Sequence, residues 1–214
     1  MKLTPVKTPV VAKKMFPNYI WDIATTTKEL FLTFDDGPTP DITNWTLKIL
    51  DDYNAKATFF CVGGNIDQHP DIYQNIIEAG HSIGNHTQHH IKGWATKTNA
   101  YIDNVSLAEH SIGTKLHTKK TKLFRPPYGQ IKPQQGKKLI ELGYKIVMWD
   151  VLSFDWDQDI SEEQCLENVI SKSKSGSIIV FHDSIKASKN MMYALPKVLE
   201  KFSLEGYKFK ALEF

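Results

Sequence analysis

From Leu30 onward, short runs rich in β-branched and aromatic residues alternate with longer helix-like stretches, and this alternation constrains the fold more than any other feature of the chain. Seven candidate strands stand out: Leu30–Phe34, Ala57–Val62, His81–Asn85, Lys122–Arg125, Lys145–Asp150, Ser177–His182 and Tyr207–Leu212. The helices between them carry end signals. Thr39 followed by Pro40 reads as an N-cap and first-turn proline, while Gly80, Gly143 and Gly206 stand where a glycine just past a helix end belongs. Repeated βα units imply an α/β fold with a parallel sheet, either an irregular barrel or an open doubly wound sheet. No GxGxxG or P-loop pattern follows a strand, so nucleotide binding loses its usual support.

Residues 1–28 break the alternation, being rich in Pro and Lys with an aromatic patch at Phe16, Tyr19 and Trp21. They are expected to form an extension packed on a single domain of residues 29–214, since 214 residues at 41% hydrophobic suffice for one core. Lys plus Arg number 26 against 24 Asp plus Glu, with no long block of like charge, which argues against a nucleic-acid partner. Nothing approaches the roughly 20 apolar residues of a membrane span. The first twenty residues hold no secretory apolar stretch, so a cytoplasmic protein is expected, or a secreted or periplasmic one had a leader been removed. Cys61 and Cys165 do not make a disulfide framework. The oligomeric state is not set by the sequence.

The chemistry concentrates at strand ends. Asp35-Asp36 close an apolar run just before Gly37-Pro38, and two adjacent carboxylates repel unless something cationic compensates them. Four of the eight histidines fall within ten residues, at His81, His86, His89 and His90. On one helical turn the i, i+4 pair His86 and His90 would point the same way and grip one cation. Alone, such a pair is more often a histidine-rich surface loop. With one carboxylate added it becomes a two-histidine, one-carboxylate set with open positions for water and substrate, which suits hydrolysis, while the other carboxylate serves as general base. Arg125 ends another strand, followed by Pro126, Pro127 and Tyr128. It would orient a neighbouring carboxylate, with two prolines fixing the backbone and an aromatic offered to a sugar groove. His182 ends the run Ser177–His182, a good place for a general acid. Asp35, Asp36, Arg125, Asp150 and His182 all stand at or just past the C-terminal end of a candidate strand, the face where barrels and open α/β sheets build active sites.

Thr33-Phe34-Asp35-Asp36-Gly37, His86-Thr87-x-x-His90, Arg125-Pro126-Pro127-Tyr128 and the His182 strand resemble, in order, the motifs of the polysaccharide deacetylases of carbohydrate esterase family 4. The resemblance covers residues 29–214 and implies a distorted (β/α) barrel of about seven parallel strands. It also implies hydrolytic removal of N-acetyl groups from N-acetylglucosamine-containing glycans, with O-acetyl ester cleavage or non-catalytic binding as alternatives. By position it makes Asp35 the base, Asp36, His86 and His90 the ligands of a divalent metal, usually zinc with Co2+, Ni2+ or Fe2+ as others, and Arg125 the residue orienting Asp35. His182 becomes the acid and the Tyr128 N–H an oxyanion donor, with Pro127, Tyr128, Trp156 and Val180 on the substrate side. The partner so implied is an acetylated glycan or oligosaccharide.

One motif departs from the family pattern Asp-x-x-Asp-Trp. Leu152-Ser153-Phe154-Asp155-Trp156 puts leucine where the acid expected to steady the catalytic histidine would stand. Because strand side chains repeat every second residue, Asp150 lies on the same side as Leu152 and is the expected substitute partner for His182.

Overall fold

The computed structural model describes residues 5–113 and 122–214. Its strands are β1 (Glu29–Asp35), β2 (Thr58–Cys61), β3 (Ser82–Asn85), β4 (Lys122–Phe124), β5 (Tyr144–Ile146), β6 (Val151–Leu152), β7 (Ile178–His182) and β8 (Lys208–Phe209). They pair in the order β5-β4-β3-β2-β1-β7-β6, with β8 beside β1. Every one of these pairings is parallel. The result is a curled, incompletely closed barrel with helices outside it, which is the distorted (β/α) barrel and not the open doubly wound sheet. Among the described residues no helix is long and apolar enough to cross a membrane.

Alternation along β1 explains the layering. Leu30, Leu32 and Phe34 join a large apolar layer with the helices Ile42–Asp52 and Ser188–Leu204, whereas Phe31 packs in a separate inner cluster with Phe60, Leu123, Val147, Ile178 and Leu212. Thr33 and Asp35 continue the inner face. Gly80, Gly143 and Gly206 adopt φ of 74°, 85° and 80°, the left-handed region expected at helix ends. Thr39 does not cap the first long helix, which begins at Ile42 after Asp41. The Thr39 N–H instead donates to Thr43 Oγ1, so the chain spends one more turn leaving the strand.

The candidate strand at 145–150 divides. Its first part is β5, at one edge of the sheet, and the chain then crosses through residues 147–150 to β6 at the other edge. The N-terminal segment pairs along this crossing. Ile20 bridges Val147, Lys7 bridges Val151, and Asp22 bridges Ser177. Those contacts satisfy edge groups that would otherwise face solvent unpaired. Cys61 and Cys165 are both free and buried.

Candidate active site

Strand register assembles the site. Asp35 of β1 is level with His182 of β7, Cys61 is level with Asn85, and Asn85 with Phe124, so Asp36, His86 and Arg125 all emerge from the C-terminal rim of the barrel. A pocket of ≈ 430 Å³ opens there, lined by Asp35, Asp36, His86, His90, Pro126, Tyr128, Gly129, Trp149, Leu152, Trp156, Val180, His182 and Lys186.

On the β1 side Arg125, fully buried, donates from Nη1 to Asp35 Oδ1 at 2.7 Å and to Thr33 Oγ1 at 2.7 Å. Nη2 reaches Met148 O at 2.8 Å, and the guanidinium lies over the Phe60 ring at 4.2 Å. Burial pulls the Arg125 pKa down while Asp35 pushes it back up. A guanidinium fixed at this many points presents Asp35 to the pocket in one orientation.

Beside it stand the candidate metal ligands. One donor atom from each of Asp36, His86 and His90 lies within 4.8 Å of the others. His86 Nδ1 donates to Arg125 O at 2.8 Å, which assigns the lone pair to Nε2 on the pocket side. Burial pushes the His86 pKa down to about 4. Asp36 Oδ1 is buried without a properly directed hydrogen bond, although His90 Nε2 is 3.1 Å and His86 Nε2 3.7 Å away. Burial works to raise the Asp36 carboxyl, but His90 and the imidazoles of His182 and His86 outweigh it and hold it well below the usual carboxylate range. Two imidazole nitrogens and an orphaned carboxylate oxygen facing one point form a donor set that a divalent cation fits. The two histidines converge without helical geometry. They sit in a loop after β3 in which Thr87 and His90 have φ of 66° and 50°, and Asn85 and Asn104 side chains accept from the Thr87 and Gln88 N–H groups.

Across the pocket, His182 meets Asp155 and not Asp150. Its Nδ1 is 2.8 Å from Asp155 Oδ1, and its backbone N–H donates to Asp155 Oδ2 at 2.7 Å. Burial lowers the His182 pKa, yet Asp155, with help from Asp36 and Asp35, carries it up to about 9. Asp150 is excluded by register. Its N–H bonds Ile178 O, four residues before His182, which places it roughly 13 Å down the barrel at about 3.3 Å per residue. There it accepts from Lys7, Lys13 and Ser177 Oγ. Strand alternation does not extend to the partner of His182, because β6 ends at Leu152 and Phe154 turns into the left-handed region at φ 61°, swinging Asp155 back over β7.

Leu152, level with Val180, belongs to an apolar cluster with Phe154, against which Trp149 and Trp156 pack. The substituted motif position is therefore apolar pocket wall. Trp156 also meets the His182 ring edge-on at 4.8 Å. Pro127 is buried away from the pocket, and Pro126 supplies the wall in its place, because the chain enters a tight turn at Pro127–Gly129 with Tyr128 at φ 59°. Tyr128 is 57% exposed, with its ring 4.7 Å from that of His90. Beyond the expected residues, the pocket adds Trp149, Gly129 and Lys186, and Thr33 supports Arg125. Thr33 was signalled by its i, i−2 relation to Asp35, whereas Lys186 carried no sequence signal.

Residues 22–147 match the family model for polysaccharide deacetylase, and the chain belongs to that family. A Bacillus cereus peptidoglycan-N-acetylglucosamine deacetylase is 32% identical over 195 residues, covering 88% of each chain. Chitin deacetylase 2 of Saccharomyces cerevisiae is 38% identical over 194 residues, 83% of this chain and 57% of the yeast protein. The solved structure of the Bc1960 peptidoglycan N-acetylglucosamine deacetylase, in complex with 4-naphthalen-1-yl-N-oxidanyl-benzamide, superposes with a TM-score of 0.87 at 30% identity, covering 96% of this chain and 95% of that one.

Proposed function

We propose that this chain is a metal-dependent hydrolase that removes the N-acetyl group from N-acetylglucosamine units of a glycan, releasing acetate and a free amine. One observation carries the reading. A carboxylate fixed by Arg125 and an imidazole fixed by Asp155 face the same pocket on neighbouring strands, with the Asp36, His86 and His90 donor set beside them. The peptidoglycan and chitin deacetylases among its relatives support the substrate class.

A divalent cation, most readily zinc, would be held by Asp36, His86 and His90 and would supply carbonyl polarisation and a more acidic water. Asp35, on the pocket wall level with His182, takes a proton from the attacking water as its oxygen adds to the carbonyl carbon. The Tyr128 N–H is assigned to the developing oxyanion. His182 carries its second proton on Nε2, because Nδ1 is committed to Asp155, and delivers it to the amide nitrogen as the C–N bond breaks. The acetyl methyl rests against Leu152, Val180 and Trp156.

Acetate release from N-acetylglucosamine oligomers, peptidoglycan fragments and acetylated xylan tests the reading, with a chelator and metal add-back. Release from the first two, abolished by chelator and restored by metal, is expected. Asp35→Asn and His182→Ala should each lower kcat by about 10²- to 10⁴-fold. A full-rate Asp35→Asn variant overturns the mechanism, and release from xylan alone makes the chain an esterase. An alkoxide leaves without the help an amine needs, so His182→Ala should cost ester cleavage much less than amide cleavage.

A further inference from the structure

In an extended strand Asp35 and Asp36 would point to opposite faces, yet both line one pocket. The difference arises at Asp36, which adopts φ 81°, a left-handed conformation uncommon for a residue with a side chain. Such a conformation persists only where its surroundings fix it. The peptide plane that follows is gripped at both ends by side chains. Its oxygen, Asp36 O, accepts from Asn65 Nδ2 at 2.7 Å, and its N–H, on Gly37, donates to Asp183 Oδ1 at 3.1 Å. Asp183 is fully buried, and its other oxygen is hydrogen-bonded to Thr43 Oγ1 at 2.5 Å. Gly37 is required by this approach, since a Cβ there would lie 2.0 Å from Asp183 Oδ2. Neither Asn65 nor Asp183 lines the pocket or belongs to the donor set. Neither has another assignment in the chemistry.

We propose that Asn65 and Asp183 are positioning residues, a two-sided clamp on the Asp36–Gly37 peptide plane that aims the Asp36 carboxylate at the point shared with His86 and His90 and thereby sets cation affinity. The proposal rests on the metal-site reading above. The peptide plane fixes ψ of Asp36, and the Cα–Cβ direction follows from it. Releasing either end lets the turn relax toward ordinary backbone and carries the carboxylate away from the histidines.

The test is titration of the metal-free protein with Zn2+ and with Co2+, by calorimetry and by competition with a chromophoric chelator, alongside circular dichroism to verify folding. Asn65→Leu and Asp183→Ala should each weaken binding by about 10- to 100-fold. Asp183→Asn, which keeps an oxygen for the Gly37 N–H, should return affinity to near the wild-type value. In an Asp36→Ala background the clamp substitutions should produce no further loss, because their effect passes through that carboxylate. Equal losses with and without Asp36, or unchanged affinity in Asn65→Leu and Asp183→Ala, overturn the clamp while leaving the metal site standing. Absence of cation binding by the wild-type chain overturns the metal reading and the clamp together. Should Asp183→Ala fail to fold, Asn65→Leu and Thr43→Val decide the question from the other contacts.

Discussion

Asp155 meets His182 through both of its oxygens, one on the ring and one on the backbone N–H. That double contact makes the imidazole a strong proton carrier: burial alone would lower its pKa, and the carboxylate reverses the sign, up to about 9. Asp155→Asn keeps the shape and removes the charge. Burial then dominates, the His182 pKa falls below its ordinary value, and the alkaline limb of kcat against pH should move to lower pH with at least about a 10²-fold loss near pH 8. Asp150→Asn should leave that profile in place. A profile unchanged in Asp155→Asn, or shifted in Asp150→Asn, would reverse the assignment. The sequence made Asp35, Asp36, His86, His90, Arg125 and His182 legible as a group because each stands at or just beyond a strand end. Asp155 was hidden by a backbone torsion, the φ of 61° at Phe154, which no periodicity announces.

At the level of elements, the chain crosses from one edge of the sheet to the other between β5 and β6, and the N-terminal segment lies against that crossing. Asp150, with its side chain buried, ties that segment down through Lys7 and Lys13, whose side chains keep 33% and 17% exposure. Removing one partner of a fully buried pair costs about 3–5 kcal/mol, and the partial solvation of the lysines reduces this to roughly 2 kcal/mol for Asp150→Ala. The melting temperature should fall by roughly 4–8 °C for a chain of this size, while kcat of the folded enzyme changes little. An unmoved melting temperature would show that the tether contributes nothing. Strand positions were readable from β-branched and aromatic runs, since those residues suit a buried pleated surface. The run at 145–150 misled because one apolar stretch serves two edges of the sheet, and Tyr207–Leu212 shrank to Lys208–Phe209 because β8 touches only the start of β1.

Across the whole molecule, the C-terminal rim gathers the chemistry and the opposite end holds His81, just before β3, so titratable groups buried at both ends tie stability to pH. His81, bonded through Nδ1 to the Ala57 N–H, is held down to about 4 by burial and by Lys56, and His86 to about 4 by burial. Unfolded histidine takes a proton near pH 6.5, so between pH 6.5 and 4 the unfolded chain gains two protons that the native state refuses. Asp183 works the other way. Burial raises it to about 8, so the native state holds one proton that the unfolded carboxyl has released over the same interval. One net proton favours unfolding as pH falls, a loss of about 3 kcal/mol by pH 4. Above pH 6.5 the sign reverses, because His182 and Asp183 hold protons in the native state until pH passes about 9 and about 8, and the stability they lend disappears as pH rises through those values. Urea unfolding of the chelated protein should therefore show maximal stability near pH 6.5 with a decline on either side. His81→Gln removes one of the two refusing histidines, so it should flatten the acid limb while leaving the alkaline limb as it was. An acid limb equally steep in that variant would place the proton-linked loss elsewhere than at His81.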